Sequence, residues 1–223
     1  MQYRNYIFDL YGTLVDIHTD EEMPQLWEFM SDYLKENFGT AIDAADLRSE
    51  YLRICALEEI ELAAQNGSKY PEIKIEWVWE KLIGKPCSED EMRSLCISFR
   101  EKSRDRLEVY SGVFDAFSAI KKNNGMVFLL SNAQRIFTEK ELDDTGLKPW
   151  FDDIFISSDH GIKKPDGLFL QRLIDKHRLI KKECVMIGNE PAADGGVADA
   201  VGIDFVMVRE FNLSNEWLFA WRE

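Results

Sequence analysis

Asp9, Thr13, Ser131, Asn132, Lys164, Asn189, Glu190 and Asp194 are the residues of this 223-residue chain whose types and places point to chemistry. Asp9 follows the apolar run Tyr6–Phe8 and leads through Tyr11 into a turn at Gly12 and Thr13. Ser131 and Asn132 follow a run ending at Leu130, and Lys164-Pro165 stand in the loop beyond Ile156. Gly188, Asn189 and Glu190 come directly after Val185–Ile187, with Asp194 close behind. Each has a plain structural account. Asp9 can make a turn with Gly12, and Ser131 or Asn132 can cap the next helix. Asp194 can be a solvated helix-end charge, and Lys164 an ordinary surface lysine. Four polar clusters that all fall just after apolar runs are hard to assign to chance. A hydroxyl, a lysine and several carboxylates on one edge can serve an anionic small molecule, provided a local positive charge or a metal offsets the repulsion.

The elements that must position them are read from periodicity. Tyr6–Phe8, Val127–Leu130, Ile154–Ile156, Val185–Ile187 and Phe205–Val208 are short apolar runs of the kind buried in parallel sheets. Helical patterns at Val113–Asn123, Ile136–Thr145, Leu168–His177 and Val197–Val201 alternate with them. That alternation predicts an α/β fold, a Rossmann-like open parallel sheet with helices on both faces. In such sheets ligands bind outside the carboxyl ends of the strands, where the polar clusters lie. The alternation fails between Asp16 and Val109. Pro24–Phe38, Ala44–Gln65, Ile73–Ile83 and Glu89–Leu107 read as amphipathic helices, punctuated by Gly39, Asn66-Gly67 and Gly84-Lys85-Pro86. We therefore divide the chain into a Rossmann-like core, residues 1–15 and 110–223, and an inserted α-helical cap domain, residues 16–109. Trp27, Trp77 and Trp79 are expected to pack the core of that cap.

Composition narrows the function. With 45% hydrophobic residues, 14 Phe and 6 Trp, the chain can build a sizeable core. Its net charge of −14 argues against nucleic acid and anionic membranes as partners, since both call for basic patches. Cys55, Cys87, Cys96 and Cys184 form no CxxC pair, and the three histidines are scattered, so no zinc spacing is present. Reduced thiols, an N-terminus unlike a signal peptide and a longest clear apolar stretch of only Met126–Leu130 lead us to expect a soluble, cytoplasmic protein. The oligomeric state is not legible.

The segments FDLYGTL, LLSN (Leu129–Asn132), KKPD (Lys163–Asp166) and IGNEPAAD (Ile187–Asp194), in that order, resemble the haloacid dehalogenase-like hydrolase superfamily, subfamily I. DxxGTL alone is moderately specific, whereas four motifs in order are strong; the cap matches in position and helical character only. The resemblance implies nucleophilic catalysis by Asp9 through an acyl intermediate that water later opens. It implies phosphate-oxygen contacts from Ser131 and the main-chain N–H groups at the start of its helix, with Thr13 and Asn132 also binding substrate. Lys164 would neutralise charge beside Asp9. Mg²⁺ would bind Asp9, the Tyr11 carbonyl, and the cluster of Asn189, Glu190 and Asp194. The implied substrate is a small phosphorylated metabolite.

Two departures pull in opposite directions. Phosphatases of the superfamily usually carry an Asp acid–base two residues after the nucleophile, where this chain has Tyr11. A phenol, with an ordinary pKa of about 10, accepts a proton from water poorly at neutral pH. Tyrosine there is typical of the metal-free 2-haloacid dehalogenases. Against that reading, Asp194 lies five residues after Asn189, which is the phosphatase spacing. Leu170 stands where the dehalogenases have a tyrosine, and Arg48 is a poor counterpart of their cap arginine. Crowding Asp9, Glu190 and Asp194 around one lysine also favours a divalent ion. The main expectation is thus a Mg²⁺-dependent phosphatase, with a dehalogenase or a weakly active phosphate-ligand-binding relative as alternatives.

Overall fold

A computed structural model describes residues 3–208; residues 209–223, assigned above to the core, lie outside the described residues. Strands β1 (Asn5–Phe8), β4 (Met126–Ser131), β5 (Asp153–Ile156), β6 (Cys184–Gly188) and β7 (Asp204–Met207) form one parallel sheet in the order β5-β4-β1-β6-β7. β1 is central, with Phe8 paired to Leu129 on one side and to Ile187 on the other. Successive strand side chains point to opposite faces, which divides the core in two. Tyr6, Phe8, Val127, Leu129, Val185 and Ile187 face α5 (Val113–Lys122), meeting its Val113, Phe117 and Ile120. Ile7, Phe128, Leu130 and Met186 face α8 (Gly167–His177) and α9 (Gly196–Val201). The α/β expectation holds because each central strand is apolar on both faces.

Between β1 and α5 stand α1 (Pro24–Phe38), α2 (Ala44–Asn66), α3 (Ile75–Ile83) and α4 (Glu89–Ser103). Their own core centres on Trp27, Tyr51, Trp79 and Phe99, rings whose centroids lie 5.2–5.8 Å apart. Trp27 and Trp79 are core residues as expected, whereas Trp77 is half-buried and packs at the margin. At α4 the side chains of Ser88 and Glu91 form a reciprocal cap, a device worth about 1 kcal/mol.

One expectation fails here. The helix read as Glu89–Leu107 stops at Ser103, and Arg104–Val109 is a strand, β3, paired antiparallel with β2 (Val15–Thr19). The segment Arg-Asp-Arg-Leu-Glu-Val suits either a helix face or a strand, and its partner lies far away in sequence. The sequence boundaries at 15/16 and 109/110 fall at the first residue of β2 and the last of β3. The two chain crossings between sheet and helical segment are thus the two strands of one ribbon. All four cysteines are free, and among the described residues no helix is long and apolar enough to cross a membrane.

Candidate active site

At the carboxyl edge of the sheet the loop after β1 turns back at once. Leu10 O accepts from Leu14 N at 2.8 Å and Val15 N at 3.0 Å, while Gly12 N donates to Val15 O at 2.8 Å. Gly12 has φ +77°, and a Cβ built there would lie 2.3 Å from the Asn189 side-chain nitrogen. Glycine is needed at Gly12 on both counts. The turn leaves Asp9 buried at the tip of the central strand. Thr13 Oγ1 lies 3.1 Å from Asn189 Oδ1 and 3.4 Å from Asp9 Oδ2, joining the ends of β1 and β6.

Lys164 completes the cluster. Its ammonium donates to Asp9 Oδ1 and to Asp194 Oδ1, both at 2.6 Å, and all three side chains are buried. The loop that delivers it is clamped by Asn132, whose side-chain oxygen accepts from Lys164 N at 2.8 Å and whose amide donates to Lys164 O at 3.1 Å. Asp194 arrives from a single π-turn, Pro191–Gly195, with Oδ2 accepting from Glu190 N at 3.0 Å. Burial alone would lower the Lys164 pKa, but the two carboxylates more than offset it and the net direction is upward. Burial pushes Asp9 up, Asp194 adds to this, and Lys164 opposes it. One ammonium between two buried carboxylates leaves one negative charge in excess.

Gly188 is the second glycine that the site requires. A Cβ there would fall 2.1 Å from Asp194 Oδ2, so the carboxylate packs against bare backbone. Gly188→Ala is expected to push Asp194 off Lys164 and to lower turnover by about 10- to 100-fold, the scale of a small misplacement near the reacting groups. Steady-state kinetics beside a thermal melt checks this.

The structure brings Asp9, Thr13, Asn189, Lys164 and Asp194 together, with Ser131 at the end of the neighbouring strand. The Ser131 hydroxyl is fully buried and has no hydrogen-bond partner among the described residues. Other expected roles shift. Glu190 is exposed and enters the cluster through its main-chain N–H, leaving its carboxylate outside. The side-chain amide of Asn132, expected to bind substrate, is committed to Lys164. Two N–H groups near the start of α6 (Arg135–Asp144), expected to hold phosphate, are already taken. Ala133 N donates to Ser157 Oγ at 2.8 Å, and Arg135 N to Ser158 Oγ at 2.9 Å. Arg48 lines a separate hollow with Glu22, Trp27 and Asp43.

The Tyr11 hydroxyl donates to Glu141 and lies 3.0 Å from Thr138 Oγ1, with the Arg100 guanidinium 5.3 Å from its ring centre. Burial first and then the Glu141 charge push the phenol well above its ordinary range, which makes it a poor acid as well as a poor base. Sequence reasoning missed Arg100, Arg104 and Glu141. A signal existed, since Glu141 lies on the same buried helical face as Phe137, Thr138 and Leu142. A cavity of about 360 Å³ opens beside this group, lined by Tyr11, Ile17, Thr19, Arg100, Asn132 and Phe137 among others, between sheet edge and helical segment. The α2–α3 connector reaches the lysine loop as well. Lys163 N donates to Tyr70 O at 3.0 Å, and Ser68 Oγ to Asp166 Oδ2 at 2.5 Å.

A carboxylate pinned by a buried ammonium, a second carboxylate and an orphan hydroxyl can together receive a tetrahedral anion once a cation offsets the excess negative charge. In the comparison with known proteins, residues 3–202 match the family described as haloacid dehalogenase-like hydrolase. The chain is a haloacid dehalogenase-like hydrolase. Among curated relatives of this hydrolase, the pyrimidine 5'-nucleotidase PynA of Streptococcus pneumoniae is 24% identical over 96% of this chain and 87% of its own length. A phosphoglycolate phosphatase of Photobacterium profundum is 26% identical, but over only 48% of each chain, so this hydrolase spans about half the length of that relative. Among solved structures, a HAD family enzyme from Bacteroides thetaiotaomicron superposes with a TM-score of 0.61 at 16% identity, covering 98% of this chain and 99% of that one. The HAD-hydrolase YfnB of Bacillus subtilis, bound to magnesium, has a TM-score of 0.53 at 20% identity, with 95% and 92% covered. At such identities the structures speak for the fold.

Proposed function

We propose that this hydrolase is a Mg²⁺-dependent phosphatase acting on a small phosphorylated metabolite through an aspartyl-phosphate at Asp9. The observation that carries the reading is the Ser131 hydroxyl, buried without a partner among the described residues, one strand away from the Asp9–Lys164 pair. A buried hydroxyl lacking a hydrogen bond costs free energy, and a phosphate oxygen is the partner its position calls for. Two phosphatases among the curated relatives support the same reading.

The residues present fit Mg²⁺. That ion takes oxygen ligands and is commonly held by one or two carboxylates together with waters and substrate phosphate. Asp9, Asp194, the Asn189 side-chain oxygen and the Tyr11 carbonyl would hold it, and its charge would offset the excess negative charge of the cluster. The ion would supply electrostatic stabilisation to the phosphate. Lys164 keeps the Asp9 carboxylate oriented and neutralises charge as the P–O bond to Asp9 forms and the leaving-group bond breaks. Water then opens the phospho-Asp9, restoring the carboxylate and releasing phosphate. We further assign the helical segment 16–109 as the cap that closes over the substrate. The dehalogenase alternative lacks its tyrosine and its arginine here, since Leu170, on α8 itself, is fully buried in the core and Arg48 lines another hollow.

Tyr11 shapes the substrate preference. With its O–H donated to Glu141 and its pKa raised, Tyr11 is poorly placed to protonate a departing alkoxide. Losing such a group costs about 10²–10⁴-fold, and the cost falls on alkyl and sugar phosphates, because acyl and aryl groups leave unaided. Turnover of acetyl phosphate, p-nitrophenyl phosphate, a sugar phosphate and a pyrimidine nucleotide, with and without Mg²⁺, tests the reading. Mg²⁺-dependent turnover, fastest on the acyl and aryl esters, is expected, along with a higher melting temperature in Mg²⁺. Equal rates on alkyl and aryl esters would show that another residue supplies the proton. Chelator-insensitive release of halide from a 2-haloacid would replace this reading with the dehalogenase one.

A further inference from the structure

Glu141 lies outside the cluster around Asp9, yet it is 3% exposed and fully engaged. Its Oε1 accepts from Arg100 Nε and from Arg104 Nη1, both at 2.7 Å. Its Oε2 accepts from the Tyr11 hydroxyl and lies 3.5 Å from Arg100 Nη2. Thr138, one turn earlier on α6, adds a 3.0 Å contact to the same hydroxyl. The Arg100 guanidinium also covers the Phe137 ring, 4.6 Å from its centre.

These side chains come from four separate segments. Tyr11 belongs to the turn that carries Asp9, while Thr138 and Glu141 sit on α6. Arg100 belongs to the last turn of α4, and Arg104 opens β3, so both cations come from the helical insert and its return strand. A buried carboxylate left with too few donors is costly, so removing any one partner weakens the hold on the others. Packing alone would be served by phenylalanine at position 11. A hydroxyl aimed at a charged network is a fixed tether.

We propose that Glu141 is a positioning residue: acting through Tyr11, it ties the Asp9 turn to the insert, so that Asp9 is aligned while α4 and β3 are docked on α6. This rests on the reading of Asp9 as the nucleophile. Tyr11 is then a strut whose hydroxyl keeps its proton and donates it in a hydrogen bond to Glu141, and the docked insert and the aligned nucleophile are one state.

The test uses the full chain with p-nitrophenyl phosphate and Mg²⁺, comparing Tyr11→Phe, Glu141→Gln, their double mutant and Asp9→Asn. Tyr11→Phe is expected to lower kcat by about 10-fold and Glu141→Gln by about 10- to 100-fold, with KM moving less than about twofold. The double mutant is expected to be no slower than Glu141→Gln alone, because both changes cut one connection. Losses that multiply in the double mutant would overturn the proposal. Should Glu141→Gln fail to fold with two arginines left short of a carboxylate, Tyr11→Phe decides alone: wild-type kcat in a folded Tyr11→Phe protein overturns it. Turnover that needs Asp9 but ignores the Tyr11 hydroxyl removes this inference and leaves the phosphatase reading standing. Turnover that survives Asp9→Asn removes both.

Discussion

Asp9→Asn is expected to lose about 10⁴-fold or more of turnover while the protein melts no earlier than wild type. The rate argument is that a carboxamide is not a nucleophile at phosphorus, while Asp194, the other buried carboxylate, stays held by Lys164 at Oδ1 and the Glu190 N–H at Oδ2. The stability argument runs the other way. Burial raises the pKa of Asp9 in the folded protein, so its protonated form favours folding, and this contribution is lost as pH rises through the raised value. Above that value the ionised group is therefore held at a cost. Asparagine removes that charge and its repulsion of Asp194, and keeps an oxygen for Lys164. Parallel kinetics and melts in Mg²⁺ separate the two effects. A mutant within tenfold of wild type would falsify the assignment of Asp9.

Lys164→Ala is expected to be nearly as damaging, with a rate loss of at least about 10²-fold, the scale of removing a charged transition-state contact. Here stability should fall as well. The ammonium is the hydrogen-bonded cation shared by two buried carboxylates, and breaking such a pair typically costs about 3–5 kcal/mol. Alanine leaves Asp9 and Asp194 facing each other, so one of them takes up a proton or the cluster opens. If a divalent ion also binds there, Mg²⁺ should restore more of the melting temperature to Lys164→Ala than it adds to wild type. Unchanged kcat in a folded mutant would place Lys164 outside the chemistry.

The candidate site also shows what lies beyond a motif. Four motifs name Asp9, Ser131, Lys164 and Asp194, and the sheet brings these to one edge. Their neighbours make contacts in the fold that the motifs do not show. Asn132 holds the lysine loop, Ser157 and Ser158 occupy N–H groups meant for phosphate, and Glu190 turns its carboxylate outward. Each reassignment depends on a residue twenty or more positions away, or on a rotamer, and neither leaves a mark in local spacing.

By itself the sequence determined the sheet and its reactive edge. Runs apolar on both strand faces can be buried only between two helical layers, and polar residues directly after such runs must emerge where parallel strands end. Helices α1 to α4 were equally legible, because a stripe repeating every three to four residues needs no distant partner to show itself. Tertiary structure alone decided β3, whose residues 104–107 continue a helical pattern until β2, about ninety positions earlier, supplies hydrogen bonds. It alone decided the surroundings of Tyr11, which read as a missing acid and donates its hydroxyl to Glu141, 130 residues away. Local periodicity reports what a segment can bury. Which polar groups satisfy one another is settled only when the chain is packed, since a buried charge must find its partners wherever the fold brings them.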